Sequence, residues 1–384
     1  MPIQEFLFPE TKLCVGVDAL NEVPTILSSR GLSNVFVVVD AALKDSEMLQ
    51  TLSKLLKDNS VDVFSEVRGD PTVSSVYKSY EQMKNFKSDV VIALGGGSSI
   101  DTAKATAILA TNPGNLVEMN GIDKFSNPPL DVIAIPTTAG TGSEVSPGAV
   151  ITNEETRQKF TIRSRKIIPI AAILDPNMVK SLPKEIAAAT GMDALCHNLE
   201  YYLSTSANYL SQGLNLQAIK MISNNIRDFV EDRSNSKAAE QMLVASMIGE
   251  ISFSLLRLSV NHAIAHPLGA HYKMHHGLAC GIMLPYSLRF NMDYCSDKLS
   301  VVGQTMGLMV DELSEKSAAL KTIVAIENMI EDIGLQKGLK EFNILQEDIP
   351  NLAEDALLSA QLKVNPRPVT KEDIEGIISE AILY

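Results

Sequence analysis

The chain has 384 residues, 45% hydrophobic and 21% charged, the balance of an ordinary globular protein long enough for two cores. A formal net charge of −13 argues against nucleic acid or an anionic membrane surface as the main partner. No run approaches a membrane span, the first residues lack the basic and apolar regions of a signal peptide, and the four cysteines show no CxxC pairing, so a reducing cytoplasm is the expected setting.

From the start to about residue 180, β-rich runs alternate with helical ones, the pattern of an α/β domain with a parallel sheet. Asn34 to Ala41 reads as a buried strand by its Val/Phe run, Ser46 to Asp58 as a helix, Val61 to Ser65 as a short strand and Val73 to Phe86 as a helix. The stretch from Ser88 reads as strand, glycine turn and helix, and a further strand from Leu130 ends in a loop of small residues. Beyond Asp175 and Pro176 the apolar spacing becomes helical: from Leu182, then Tyr209 to Val230, Ser236 to Leu256, Val301 to Met309 and Ser314 to Ile333. No strand-like alternation rivals it there. The expectation is an α/β domain over residues 1–180 and an all-helical domain over residues 181–384.

Two loops in the first half point to a nucleotide cofactor. Gly95, Gly96, Gly97 and Ser98 follow an apolar strand and open a helix, where free amides and the helix dipole receive a phosphate. The spacing of Ser98 and Asp101 also fits a helix capping box, and a bare GGGS turn is not the dinucleotide fingerprint. The second loop, Pro136 to Glu144, carries four hydroxyls and two glycines after a strand, where α/β sheets place their ligands. Asp40 ends an earlier strand, a position from which a carboxylate hydrogen-bonds a ribose 2′-OH and repels a 2′-phosphate. Together they favour an NAD-type cofactor.

The histidines are the sharper signal. Five of the six fall between His262 and His276. His266 follows His262 by one helical turn, as the sixth, His197, follows Asp193, which puts each pair on one helix face. With a later histidine such as His276, the two helices offer a carboxylate and three or four imidazoles. That is a shell for a divalent transition metal, not for calcium or magnesium. Cys196, near Asp193, reads as a buried inert thiol.

The chain resembles the iron-dependent (group III) alcohol dehydrogenases over almost its full length. The motifs are ALGGGSSIDTAKA (93–105), IPTTAGTGSEVS (135–146), ILDPNMVKSLP (173–183), GMDALCHNLEYYLS (191–204), HAIAHPLGAHYKMHHG (262–277) and LPYSLRFN (284–291), in that order. The resemblance implies a Rossmann-like N-terminal domain and a helical C-terminal domain, assembled as a dimer or larger oligomer. It implies that Asp193, His197, His262 and His276 hold iron(II), with zinc as an alternative ion, and that His266 beside them handles the proton. By the same resemblance Gly95 to Ser98, Asp101, Thr137, Thr138, Thr141, Ser143 and Lys159 line the NAD(H) site, and Asp40 sets the preference for NAD. The implied reaction interconverts a short primary alcohol or diol and its aldehyde.

Some residues depart from the family pattern. Leu255, Arg257 and Ser259 stand where an asparagine and two glycines are expected, and Gly148 and Ala149 are smaller than some counterparts. Phe253, Arg257, Gly148 and Ala149 are therefore the candidates for substrate contact, and such a pocket would suit an aldehyde with a sulfonate, phosphonate or carboxylate tail. Against this, an ideal helix places Arg257 well off the face of His262. His271 and His275 receive no role. An NAD- and metal-dependent lyase resembling dehydroquinate synthase is the competing reading, opposed by the second loop and the histidine spacing.

Overall fold

The computed structural model describes residues 8, 10–156, 158–253, 257–336 and 338–383. One compact unit ends at Leu182 and a second begins at Pro183. In the first, strands β1 (Lys12–Val15), β9 (Ala171–Leu174), β6 (Asp131–Pro136), β4 (Val90–Gly95), β2 (Asn34–Asp40) and β3 (Ser60–Val67) lie side by side in that order, all parallel. Helices α1 (Val23–Ser29), α2 (Glu47–Leu55), α3 (Val73–Phe86) and α4 (Gly97–Thr111) cover the sheet.

Strand β2 shows why its sequence is apolar without a break. Val35, Val37 and Val39 pack with Ile26 and Leu27 of α1 and Leu49 and Leu52 of α2. Phe36 and Val38 point the other way, to Met83 of α3 and Ile100 and Ala103 of α4. With both faces covered, Val35 to Val39 are all core residues, each stabilising by roughly 1.5–3 kcal/mol. From β2 the chain steps outward to β3, then crosses back to β4, so the winding reverses between β2 and β4. The crevice outside the carboxyl ends of those two strands is where such sheets bind ligands.

A second sheet, β5 (Gly121–Ile122), β8 (Gln158–Arg163) and β7 (Gly148–Asn153), was not expected from the sequence. Its β7–β8 pair is antiparallel and joined without glycine or proline, so no turn signal announces it.

The second unit contains α5 (Lys184–Leu203), α6 (Tyr209–Glu231), α7 (Ser236–Phe253), α8 (Val260–Tyr272), α9 (His276–Asn291), α10 (Ser296–Thr305), α11 (Glu315–Asp332), α12 (Ile349–Leu357) and α13 (Lys371–Ile382). Among its described residues there is no strand. The helix expected from Val301 to Met309 begins earlier, at Ser296, and ends before Gly307. Helix α5 packs against α6, α7 and α9 and is buried without interruption from Ala187 to Leu203. A helix apolar all round belongs at a core, and this one carries Asp193, His197 and Glu200 into it.

Candidate metal centre and nucleotide crevice

Asp193 is 2% exposed, and an isolated carboxylate there would be costly to bury. Three imidazoles surround it. His197 comes from the same helix, one turn on, with Nε2 3.9 Å from Asp193 Oδ1. His262, from the first turn of α8, brings Nε2 to 3.5 Å, and His276, the first residue of α9, brings Nε2 to 3.7 Å. The ring of His197 stacks on His262 with centroids 4.8 Å apart.

Gly277 allows the approach of α9. A Cβ there would lie 2.4 Å from the Ala189 carbonyl oxygen and 3.2 Å from Asp193 Cβ, so only glycine lets α9 touch α5 at this turn.

Burial alone would push the Asp193 carboxyl up, but His197, then His276 and His262, hold it well below the usual carboxylate range. The site therefore holds a carboxylate anion. Asp193 Oδ1 and His262 Nε2 are both buried without a hydrogen-bond partner. An anionic oxygen and an imidazole nitrogen that face each other unbonded are what a cation between them would satisfy. The residues fit a divalent metal.

Two neighbours were not expected from the sequence. Glu200 lies seven residues after Asp193, two turns along the same face, and its Oε2 accepts from His262 Nδ1 at 2.6 Å. The Asp193–His197–Glu200 spacing was the available signal. Cys280 falls within the same cluster as Asp193, His262 and His276, with Sγ 3.7 Å from His276 Nε2. Burial pushes its thiol up to about 12, so it stands protonated.

His266 is exposed, its ring 5.5 Å from that of His276 and 6.2 Å from that of His262. It borders the cluster. His271 pairs with Asp355 at 2.7 Å on the surface, and His275 is the exposed residue before α9.

In the first unit, the expected cofactor residues gather largely at the carboxyl ends of β2, β4 and β6. Gly95 closes β4 with φ +156, and a Cβ on it would lie 2.3 Å from Ser99 Oγ. Gly96 is the N-cap of α4 and no side chain caps it; Ser98 lies inside the helix. The capping-box spacing is therefore not used. Asp101 instead accepts from the Val150 amide at 2.9 Å. Thr138 packs over Gly96 and Thr141 over Gly97, and the Thr137 amide donates to the Gly95 carbonyl at 3.1 Å. Ser143 begins a short 3-10 turn at the end of that loop, buried beside Glu144. Asp40, at the end of β2, accepts from the Ala42 amide at 2.8 Å. Lys159 lies apart, on β8, in an ion pair with Asp70 at 2.8 Å.

Beneath the loop sits a fully buried Lys104, whose Nζ donates to the carbonyls of Ser146 at 2.9 Å and Gly148 at 2.8 Å. Nothing in the sequence marked it.

Residues 10–176 match the family described as iron-containing alcohol dehydrogenase, and residues 187–382 match the C-terminal part of the same family. The chain belongs to the iron-containing alcohol dehydrogenases. Among its relatives in the family is the NAD-dependent methanol dehydrogenase of Bacillus methanolicus, 32% identical over 98% of this chain and 99% of that one. A crystal structure of 1,3-propanediol oxidoreductase superposes with a TM-score of 0.96 at 33% identity, covering 99% of this chain and 100% of that one. The sulfoacetaldehyde reductase of Bifidobacterium kashiwanohense, solved with NAD+, gives 0.91 at 28% identity, covering 100% and 99%. These matches do not favour the lyase reading. Among the described residues, no helix is long and apolar enough to cross a membrane.

The residues singled out for substrate contact are scattered. Ala149 packs in an apolar cluster with Ala105, Ile108 and Phe160, and Gly148 pairs with Arg163 across the β7–β8 hairpin. Arg257 is exposed, ahead of α8. Phe253 ends α7, while its side chain, like Leu255, lies outside the described residues.

Proposed function

We propose that this chain is an NAD-dependent alcohol dehydrogenase that interconverts short-chain primary alcohols or diols and their aldehydes, with iron(II) held by Asp193, His197, His262 and His276. The observation that carries the reading is the buried Asp193 Oδ1 and His262 Nε2, unbonded and 3.5 Å apart, with His276 closing the group. A bound iron(II) supplies Lewis acidity toward the alcohol or carbonyl oxygen, and bound NAD(H) supplies or takes the hydride. Asp193 contributes the anion of the site and the imidazoles contribute neutral donors. Three nitrogens and one oxygen do not by themselves choose iron over zinc, so supply decides which ion is held.

His266, exposed at the border of the cluster, is the residue we assign to exchange the substrate proton with solvent through its imidazole. In the first unit, we assign Gly95, Gly96, Gly97, Ser98, Thr137, Thr138, Thr141 and Ser143 to the NAD(H) phosphates and nicotinamide, and Asp40 to the ribose. Asp101 supports them through its bond to the Val150 amide, and Lys159 has weaker support because it is paired with Asp70.

Neutral substrates are the first choice, because Arg257 is exposed and Ala149 points into a core. A second reading, an aldehyde with an anionic tail, is favoured by the likeness to the sulfoacetaldehyde reductase. Iron-loaded protein, assayed anaerobically, should form NADH from a short primary alcohol or a diol. No absorbance change with any alcohol or aldehyde would reject the proposal. A kcat/KM for an acid-tailed aldehyde at least tenfold above that for a neutral one of equal length would select the second reading.

A further inference from the structure

Glu200 is 3% exposed, in the core of the second unit, and has no part in the ligand set proposed above. Its carboxylate is held at three points. His262 Nδ1 donates to Oε2 at 2.6 Å, the Ser259 hydroxyl donates to Oε1 at 2.8 Å, and the His262 backbone amide reaches the same Oε1 at 3.3 Å. An ionised carboxylate only accepts, so His262 Nδ1 carries a proton and donates it to Glu200, which leaves Nε2, the atom that faces Asp193 Oδ1 at 3.5 Å, as the ring nitrogen available to a metal. Ser259 precedes the first residue of α8 and makes no side-chain cap to that helix. Its hydroxyl is spent on Glu200 instead.

We propose that Glu200, oriented by Ser259, is the positioning residue that fixes the tautomer and ring angle of His262 and so presents Nε2 to the metal. The proposal rests on the reading of this cluster as a metal site. Carboxylates placed behind a metal-binding histidine typically contribute ten- to a hundredfold in affinity. Serine at 259 adds a second donor to the same carboxylate, so the ring is set by a chain of two side chains across α5 and the start of α8.

The test is equilibrium metal binding of chelator-stripped protein, titrated with cobalt(II) and zinc(II) against a chromophoric competitor, together with the visible spectrum of the cobalt(II) form. Glu200→Gln keeps the volume and should weaken binding about ten- to a hundredfold and shift the cobalt(II) bands, with the far-ultraviolet circular dichroism unchanged. Ser259→Ala leaves Glu200 in place and should weaken binding about two- to tenfold, the effect of one lost hydrogen bond. Ser259→Thr, which restores a hydroxyl, should recover most of that. A general loss of packing would move neither the cobalt(II) bands nor respond to the threonine rescue. Wild-type affinity and spectrum in both Glu200→Gln and Ser259→Ala would overturn the proposal while leaving the metal site standing. Weakening in Glu200→Gln alone would remove Ser259 from it. Wild-type protein that bound neither ion would overturn the metal site and this inference together.

Discussion

His276 and His266 lie with their rings 5.5 Å apart; His276 brings Nε2 to 3.7 Å from the Asp193 carboxylate and is buried more deeply than the exposed His266. Their substitutions should therefore separate. His276→Ala and His262→Ala should leave the protein without stoichiometric iron. His266→Ala should keep iron near the wild-type level while turnover falls about a hundred- to ten-thousandfold, the usual contribution of acid–base help. Metal analysis decides between them, and an iron-depleted His266→Ala protein would move that residue into the ligand set. Cys280 tests the same boundary from the other side. A metal-bound sulfur would be a thiolate, whereas the proposed shell is one carboxylate oxygen and three imidazole nitrogens. Cys280→Ala should thus retain its metal, and cobalt(II)-loaded wild-type protein should lack an intense near-ultraviolet thiolate band. In the first unit the telling residue is Asp40, fixed at the end of β2 by the Ala42 amide. Asp40→Gly removes the anion that repels a 2′-phosphate, so kcat/KM should rise with NADP and fall with NAD. Equal use of both cofactors by the wild type would remove that role.

At the scale of elements, the site depends on how closely α9 can lie on α5. Gly277 sets that distance, with the Ala189 carbonyl 2.4 Å from where a Cβ would be. Gly277→Ala must push the two helices apart or strain them, at a cost of about 1–3 kcal/mol. Because His276 is the adjacent residue, the displacement should also weaken metal binding, whereas alanine at the open Gly213 should do neither. Chemical denaturation and metal titration of the two variants make the comparison. The same elements show what a sequence reveals. Strand β2 was legible because both its faces are covered, so its valines and phenylalanine form an unbroken run. Hairpin β7–β8 was not, since its joining residues carry no turn glycine and its strands are only partly buried. His262 and His276 were legible as metal-type residues because histidine is rare here and clustered. Glu200 was not, because a glutamate two turns from an aspartate on a helix is ordinary until the fold puts His262 against it. Lys104 was equally silent: its partners are carbonyls, which every residue has.

Across the molecule, two pairs of buried acids are held in opposite ways, Asp193 and Glu200 in the second unit and Asp101 and Glu144 in the first, and stability should respond to pH accordingly. In the second unit the facing histidines outweigh burial and hold Asp193 and Glu200 below their usual range. Such groups contribute stability above the unfolded pKa, and it is lost as pH falls through the folded one. In the first unit burial wins. It pushes Glu144 up to about 7 and Asp101 up to about 6, with Lys104 opposing only in part. A raised carboxyl contributes stability that is complete below its unfolded pKa, near the ordinary glutamate value of 4.5, and is lost as pH rises through the folded value. Between pH 5 and about 7 the unfolded chain has largely released the Glu144 proton while the folded chain still holds most of it, so rising pH favours unfolding until the folded group ionises too. Glu144→Gln keeps the shape and cannot ionise. Relative to wild type it should gain up to about 2 kcal/mol over that interval, since one pKa unit is worth 1.36 kcal/mol. Urea unfolding of both proteins at pH 5 and pH 7.5, without NAD, measures the difference of differences, in which the contributions of Asp193 and Glu200 cancel. A gap between variant and wild type that stays constant with pH would mean that Glu144 ionises as freely in the folded chain as in the unfolded one.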